Sequence, residues 1–465
     1  MNNNTSLEKS TVIAVMMTSF LTTFIGSSTN LALPSIGRDF QSSALVLSWI
    51  VTGFILASAA FLLPMGRIAD LVGRRKIFLI GAVFFTIFTF LCAVSWSNKS
   101  IILFRVLQGI AGSMIYATGM ALLTSVIPAQ RRGKAMGLAV TATYIGLSMG
   151  PVAGGAMCYH LGWRSIFYLT ALLGFMVTVF ILLRLKGEWV GAEGETFDFT
   201  GSFFYMTGVV ALLYGISTIS SEPWAPYVLI TGLVLMIGFV LYELKTTHPL
   251  LHIKLFTENV GFAFSNLAAM INYSATFAIG FLLSLYLQII LGYSAQTAGL
   301  ILLAQPIVMA LFSSYAGALS DRIEPRIVAS WGMGLSALGL FNFIFLGSTT
   351  PVWLIVPNLT LVGLGFALFS SPNTNAIMGS VEEKFYGVAS SSVSTMRMMG
   401  MASSMAIVTL LLSLYVGDVV LTRTHSEELL KSFKMTFAIC SILCFGGIFA
   451  SLARGDIRTS ICRED

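Results

Sequence analysis

Two arginines stand inside long apolar stretches of this 465-residue sequence, where a charge persists only beside a partner or a polar interior. Arg105 lies in LFRVLQGIAG, and Arg397 lies in STMRMMGMASSM. Two roles are open for Arg105. It holds an anionic ligand or a carboxylate, or it bonds to backbone carbonyls and braces its helix against the first helix of the chain. For Arg397, packing against carbonyls and lining a cavity are equally open.

Uncharged polar residues interrupt the same apolar stretches. The first stretch contains FIGSSTNLALP, in which Gly26 to Asn30 are all small or amide-bearing. In a helix bundle such residues face the interior, where each bonds a neighbouring helix or contacts a ligand. Together with the two arginines, the candidates for a largely apolar, hydrogen-bonding cavity are Ser27, Ser28, Asn30, Gln108, Tyr116, Tyr144, Asn266, Asn272, Gln305 and Asn373.

The composition requires a membrane to hold these elements. Hydrophobic residues make up 56% of the chain, charged residues only 10%, and the mean hydropathy is +0.87, which excludes a soluble globule. The basic residues sit in short loops and form no continuous stripe, which argues against nucleic-acid binding. The five cysteines have no metal-ligand spacing, and neither a nucleotide-binding loop nor an intramembrane acid pair is present. We therefore predict no metal, no cofactor and no enzymatic activity.

Fourteen stretches are long enough to cross a membrane as helices. They are predicted near residues 11–33, 46–66, 77–97, 100–124, 135–157, 166–185, 200–220, 226–244, 260–289, 296–317, 327–347, 352–376, 386–416 and 435–453. Of the 26 Lys and Arg residues, eighteen fall in one set of alternate loops, which includes both termini. The excess of positive charge predicts that both termini are cytoplasmic.

Two loops at corresponding places suggest an internal duplication. The loop after the second span reads GRIADLVGRRK, and the loop after the tenth reads GALSDRIEPR. A duplicated six-helix unit predicts an all-α polytopic membrane protein with two six-helix bundles and an inserted two-helix hairpin. The predicted units are residues 1–190, 191–255 and 256–465.

With these loops, four further motifs make the chain resemble the major facilitator superfamily, in its fourteen-helix drug:proton antiporter branch. The motifs are LFRVLQGIAG, GLSMGPVAGG, WIVTGFILASAAFLLPMGRIAD and NLALPSI, in the expected order. The resemblance implies a monomeric multi-pass protein of the cell membrane that exports small amphipathic compounds by alternating access. Its implied partners are a small-molecule substrate, protons and the lipid bilayer.

The resemblance also assigns roles to two glycine-rich motifs. The loop after the second span is implied to be a cytoplasmic gate that clasps the other half, whereas a basic loop that only sets topology is the alternative. Its residues are Gly66, Asp70, Gly73, Arg74 and Arg75, with a weaker copy at Asp321 and Arg322. The antiporter motif comprises Gly146, Gly150, Pro151, Gly154 and Gly155; its glycine spacing favours close helix contact, and its proline predicts a kink.

One position departs from the branch. An aspartate usually precedes the NLALP-like segment, and here Ile25 takes its place. None of the 20 Asp and Glu residues lies near the middle of a predicted span. Proton antiport needs a group that binds and releases a proton, so the alternative is a facilitator or symporter for a neutral or anionic metabolite. A non-transporting membrane sensor is a third possibility, for which the chain lacks an output domain.

Overall fold

The computed structural model describes residues 2–192, 194–320, 322–382, 386–419 and 425–455. Those residues form long helices joined by short connections, and no β-strand occurs among them. The fourteen helices α1 to α14 run over Asn2–Phe40, Ala44–Val72, Arg74–Ala93, Asn98–Val126, Arg131–Leu161, Arg164–Arg184, Phe199–Thr218, Ala225–Glu243, Val260–Ile290, Ala295–Ser320, Pro325–Phe343, Val352–Gly379, Tyr386–Tyr415 and Ser426–Ala453.

Thirteen helices of the described chain are long and apolar enough to cross a membrane. The other predicted span corresponds to α11, a 19-residue helix whose hydropathy is lowered by Arg326, Asn342 and several small residues. It nevertheless packs between α12 and α14. We call the side that holds the start of α1 and the end of α14 the terminal side, and the other the opposite side.

Polar residues at the connections define where the helices begin. The Ser43 side chain accepts a hydrogen bond from Val46 N at the start of α2. Ser97 and Ser100 form a capping box at the start of α4. Such caps satisfy amide groups that have no partner within the helix. Between α2 and α3 the chain reverses at Gly73, whose φ of +126° is a conformation that favours glycine.

The helices pack as two matching bundles. In α1–α6 the main pairs are α2 with α4, α3 with α4, α1 with α5, and α3 with α6. In α9–α14 the main pairs are α10 with α12, α11 with α12, α9 with α13, and α11 with α14. Each pair of the second set lies eight helices after its counterpart. The duplication inferred from two loops therefore extends through the packing of both bundles.

The bundles meet along two equivalent lines, and the inserted hairpin lies beside one of them. Helix α2 packs against α13, and α5 packs against α10, which is the same relation with the halves exchanged. Helices α7 and α8 form the hairpin, and α7 contacts both α2 and α13. Tyr205 anchors it by donating a hydrogen bond to the carbonyl oxygen of Ala59, at 3.0 Å. The hairpin thus touches both bundles.

Candidate functional site

Arg105 is enclosed within the first bundle and is only 1% exposed. Its Nε donates a hydrogen bond to the carbonyl oxygen of Ile50 in α2 at 3.1 Å, and its Nη1 donates to Oε1 of Gln108 at 2.6 Å. The guanidinium also lies 4.3 Å from the centre of the Phe54 ring. These contacts agree with the bracing role, although the carbonyl belongs to α2 and not to α1.

Gln108 and Tyr116 extend these contacts along α4. Gln108 donates from Nε2 to the hydroxyl of Thr89 in α3 at 2.6 Å. Tyr116 forms a side-chain hydrogen bond with Thr22 of α1. The two residues that the sequence placed in a cavity therefore join α4 to neighbouring helices of its own bundle.

Ser27 and Ser28 lie against the antiporter motif. The Ser28 hydroxyl donates to the carbonyl oxygen of Gly150 at 3.1 Å, and the Ser27 hydroxyl donates to that of Gly146 at 3.4 Å. A Cβ at Gly146 would overlap Thr23, and one at Gly150 or Gly154 would overlap Ser27 or Ser28. The structure thus brings the polar run of α1 and the glycines of α5 into one close contact, which we call the α1–α5 seam.

Pro151 produces a different distortion from a simple kink. Residues Gly150–Gly154 form a π-helical turn within α5. Such a turn accommodates a backbone that lacks one amide donor and is frequent at functional sites. Residues Tyr286–Ile290 form a second π-helical turn, near the end of α9. Both turns lie on the opposite side of the protein.

The two bundles are joined on that opposite side. Ser284 of α9 donates a hydrogen bond to the carbonyl oxygen of Asn30 at 2.6 Å, and Gln288 donates to that of Leu31 at 3.2 Å. The Asn30 side-chain oxygen is buried and has no hydrogen-bond partner among the described residues. The end of α1 is therefore held against α9 through main-chain oxygens.

Two further contacts close the opposite side. At the contact of α5 with α10, a Cβ at Gly299 would overlap the carbonyl oxygen of Pro151, and one at Gly155 would approach that of Ala295 to 2.6 Å. At the contact of α2 with α13, the hydroxyls of Thr52 and Thr409 are 3.3 Å apart. Together with the α1–α9 bonds, these contacts form what we call the opposite-side gate.

Nearer the middle of the helices, both bundles contribute to an aromatic cluster. Tyr144 of α5 packs with Tyr273 of α9, Met309 of α10 and Phe366 of α12. The rings of Tyr273 and Phe366 meet edge to face at 5.3 Å. The Tyr144 hydroxyl lies 3.3 Å from the hydroxyl of Ser313, so the cluster combines apolar faces with hydroxyl groups. Such a combination suits a ligand with an aromatic ring.

Arg397 borders this aromatic cluster. Its guanidinium carbon lies 5.6 Å from the centre of the Tyr273 ring, and Nη2 donates to the hydroxyl of Thr374 at 2.9 Å. The side chain is half-buried, in contrast to Arg105. Its bond goes to a hydroxyl and not to a backbone carbonyl, which agrees with a position beside a ligand site.

Some of the predicted amide side chains bond to neighbouring backbone, and others have buried atoms without a hydrogen-bond partner. Asn373 donates to the carbonyl oxygen of Ser265, and Asn266 donates to that of Phe262. Asn272 is 0% exposed, and neither of its amide atoms has a partner among the described residues. A buried amide without partners is costly, so Asn272 is a candidate for a ligand contact. Gln305 is half-buried, and its backbone lies against Gly363.

Arg454 is a buried arginine that the sequence did not single out, because it lies at the end of the last helix. It is 3% exposed. Its Nη1 donates to Oδ1 of Asn373 at 3.0 Å and to the hydroxyl of Ser265 at 3.3 Å. It thereby ties α14 to α9 and α12 on the terminal side. In the sequence, the one signal that sets Arg454 apart from the other basic residues near the termini is its position directly after an apolar run.

The predicted cytoplasmic gate lies on the terminal side. Asp70 accepts a hydrogen bond from Nε of Arg74 at 2.7 Å, and Arg74 also donates to the hydroxyl of Ser125 at the end of α4, at 2.6 Å. The carbonyl oxygen of Asp70 accepts from the backbone amides of Gly191 and Ala192. These bonds hold the gate loop to the segment that leads from α6 to the hairpin.

Charged groups reinforce the contact with this segment. Glu188 accepts from the backbone amide of Arg75 at 2.8 Å. Glu195 pairs with Arg67 and lies 3.0 Å from Nδ1 of His248. The hydrogen bond from Arg67 lowers the pKa of Glu195 from its usual value, so this carboxylate is ionised at neutral pH.

The remaining predicted gate residues make only local contacts or lie outside the described part of the chain. A Cβ added at Gly66 would lie 3.6 Å from the Cβ of Ala117, which is an ordinary van der Waals contact. Arg322 caps the end of α10 by donating its backbone amide to the carbonyl oxygen of Leu319. Asp321 lies outside the described residues. Clasping of the other bundle by this loop stays a prediction.

Ile25, at the position where the branch usually has an acid, is 0% exposed. Its carbonyl oxygen accepts a hydrogen bond from Thr29 at 2.6 Å. In the described spans the acidic residues lie at the ends, as the sequence predicted. A carboxylate at position 25 would therefore be fully buried.

Two matching helix bundles that meet around interior polar groups are the architecture of a membrane transporter. The family model of the Major Facilitator Superfamily matches residues 15–268 and 265–459. The chain belongs to this superfamily.

Curated relatives of the chain include a riboflavin transporter and a multidrug resistance protein. The chain is 27% identical over 442 residues to the riboflavin transporter RibZ of Clostridioides difficile, covering 95% of this chain and 96% of the relative. It is 29% identical over 383 residues to the multidrug resistance protein Stp of Mycobacterium tuberculosis, covering 81% and 71%. The relatives therefore support transport and include a multidrug resistance protein.

A solved structure supports the fold. A bacterial homologue of the human lysosomal transporter Spinster, solved in an inward-facing and unoccupied conformation, superposes with a TM-score of 0.69. The alignment covers 96% of this chain and 97% of that one at 14% identity. At this identity the similarity concerns the fold alone.

Proposed function

We propose that this chain is a secondary active transporter that exports small amphipathic, drug-like compounds across the cell membrane by alternating access, in exchange for protons. The observation that carries the proposal is the position of the aromatic cluster relative to the opposite-side gate. Tyr144 precedes Gly155 by about 16 Å along α5, and Tyr273 precedes Ser284 by a similar distance along α9. The cluster therefore lies on the interior side of a closed gate.

The distribution of basic residues favours an orientation with both termini in the cytoplasm. In that orientation the opposite-side gate is the extracellular one, and a substrate reaches the aromatic cluster from the cytoplasm. Export then requires the extracellular contacts to separate while the predicted cytoplasmic gate closes. The chemistry of the cluster, with aromatic faces, hydroxyls and Arg397, suits compounds with a planar apolar part and a polar or negative part.

A second candidate function is favoured by two observations. Arg397 is the charged group at the aromatic cluster, and the described spans hold no acid near their middle. A relative that aligns over 95% of this chain is named as a riboflavin transporter. These facts support a facilitator or symporter for a neutral or anionic metabolite.

Transport by purified chain in proteoliposomes separates the two functions. Antiport predicts that an imposed proton gradient drives accumulation of an aromatic probe, whereas a facilitator gives counterflow that is indifferent to the gradient. Matched anionic, neutral and cationic aromatic probes test the site. Arg397→Gln should weaken binding of the anionic probe by about tenfold and spare the neutral one.

Lys99→Gln serves as the control, since Lys99 is an exposed cation at the start of α4, on the opposite side. It should leave binding of all three probes unchanged. Equal binding of the three probes by wild type and Arg397→Gln would remove the role proposed for Arg397. Absence of any flux under both conditions would contradict transport of these compounds.

A further inference from the structure

Two carboxyl groups at the base of the inserted hairpin are buried side by side. Asp198 precedes α7, and Glu243 ends α8, so the hairpin brings them together on the terminal side. They are only 8% and 3% exposed. In the sequence both lie near the ends of predicted spans.

One oxygen of each carboxyl group is satisfied by the backbone. Asp198 caps α7, with Oδ1 accepting a hydrogen bond from the Gly201 amide at 2.8 Å. Glu243 accepts at Oε2 from the amide of Leu251 at 3.1 Å. The second bond holds the connection after the hairpin, which we call the 244–252 linker, against the hairpin base.

The other two oxygens face each other without a donor. Oδ2 of Asp198 and Oε1 of Glu243 are buried and have no hydrogen-bond partner among the described residues. Both lie beside the α carbon of Gly201, where a Cβ would overlap the two of them. The side chains are within hydrogen-bonding reach of one another. Two buried acceptors in contact repel unless a proton lies between them.

Neighbouring charges do not neutralise the pair. Asp198 is the ionisable group that lies beside Glu243. Arg67, from α2, and His248, from the linker, both bond to Glu195. Lys245 is exposed. His252 is half-buried, and burial lowers its pKa, which favours the neutral form. Helix α13, which also contacts α7, has no charged residue before Arg397.

We propose that Asp198 and Glu243 form a proton-binding site that holds one shared proton and thereby docks the 244–252 linker on the hairpin. As the pH rises, the shared proton passes to water and both carboxylates become negative. Their repulsion moves Glu243 away, and the Leu251 amide loses its acceptor. Because α7 contacts α2 of one bundle and α13 of the other, occupancy of the site acts on the boundary between the bundles.

The site predicts a pH-dependent protection of the linker, measured by amide hydrogen exchange of the full chain in nanodiscs. Protection factors at Leu250 and Leu251, corrected for the intrinsic pH dependence of exchange, should fall about tenfold or more between about pH 6 and pH 9. In Glu243→Gln the new amide donates to Asp198 and still accepts from Leu251, so protection should persist throughout. Asp198→Asn keeps the helix cap and should behave alike. Glu258→Gln, which changes an exposed carboxylate, should follow wild type.

Infrared difference spectra between low and high pH supply a second readout. When the pH is raised, wild type should lose an infrared band of a protonated carboxyl group that neither variant shows. The comparison therefore needs only one of the two variants to fold. A wild-type pH dependence retained in both variants would overturn the proposal, as would flat protection in wild type. A midpoint that shifts when sodium and potassium are replaced by choline would assign the site to a metal cation instead. None of these readouts requires transport, so failure of the proposed function leaves the inference testable.

Discussion

Arg105 donates a hydrogen bond from Nη1 to Oε1 of Gln108, one helical turn further along α4, at 2.6 Å. Because Arg105 also bonds to Ile50 and Gln108 also bonds to Thr89, this pair connects α4 to α2 and α3. A buried cation without a carboxylate partner is thus stabilised by a carbonyl, an amide and the face of Phe54. The pair organises the first bundle from within.

Replacing Arg105 by Ala should therefore impair both stability and transport. The change leaves Oε1 of Gln108 without its donor, and each buried polar group left unpaired costs about 1–3 kcal/mol. We expect a lower melting temperature in detergent and loss of flux in proteoliposomes, with expression retained. Arg105→Lys keeps the charge but not the forked geometry and should be intermediate. Near-normal flux in Arg105→Ala would remove its functional role.

The α1–α5 seam should be intolerant of a single methyl group. In Gly150→Ala the new Cβ overlaps the Ser27 hydroxyl, and the strain should cost about 1–3 kcal/mol. A second change, Ser27→Gly, removes that hydroxyl and should recover part of the lost thermal stability. Gly137→Ala is the matched control on the same helix, because its Cβ would meet nothing within 4 Å. An equal loss of stability in both alanine variants would contradict the seam.

A disulfide across the opposite-side gate should stop transport. The hydroxyls of Thr52 and Thr409 are 3.3 Å apart, so Thr52→Cys with Thr409→Cys places two sulfurs within bonding range. Oxidation should lock this side closed and abolish flux, and a reductant should restore it. The described native cysteines, Cys92, Cys158, Cys440 and Cys444, are all buried. The variants Thr52→Cys and Thr409→Cys, each made alone, serve as controls. Full flux in the oxidised double variant would show that these helices need not separate.

An acid at position 25 should introduce a new pH dependence. Ile25 is 0% exposed, so the carboxyl group of Ile25→Asp has no solvent around it. Its neutral, protonated form is therefore favoured, and ionising it costs free energy. Thermal stability should fall as the pH rises, and flux should become pH-dependent. Ile25→Asn has a similar size without a titratable group and should show neither change. Parallel pH profiles for the two variants would exclude Ile25 from a proton-sensitive position.

The class of fold could be predicted from the amino-acid sequence alone. Apolar runs of membrane-spanning length, the repeated GRIADLVGRRK and GALSDRIEPR loops and the motif order led to two six-helix bundles, because length and hydropathy are local properties of the chain. It also identified Arg105, Arg397 and the glycines of α5 as unusual for their surroundings.

The contacts that these residues make could not be predicted in the same way. Ser27 and Ser28 bond to carbonyls of α5, and Arg397 lies beside Tyr273, because partners more than a hundred residues apart are chosen by helix packing and not by local pattern. The same reason explains Glu243. The sequence located it only at the end of an apolar run, whereas the hairpin buries it against Asp198, which no local property of either segment encodes.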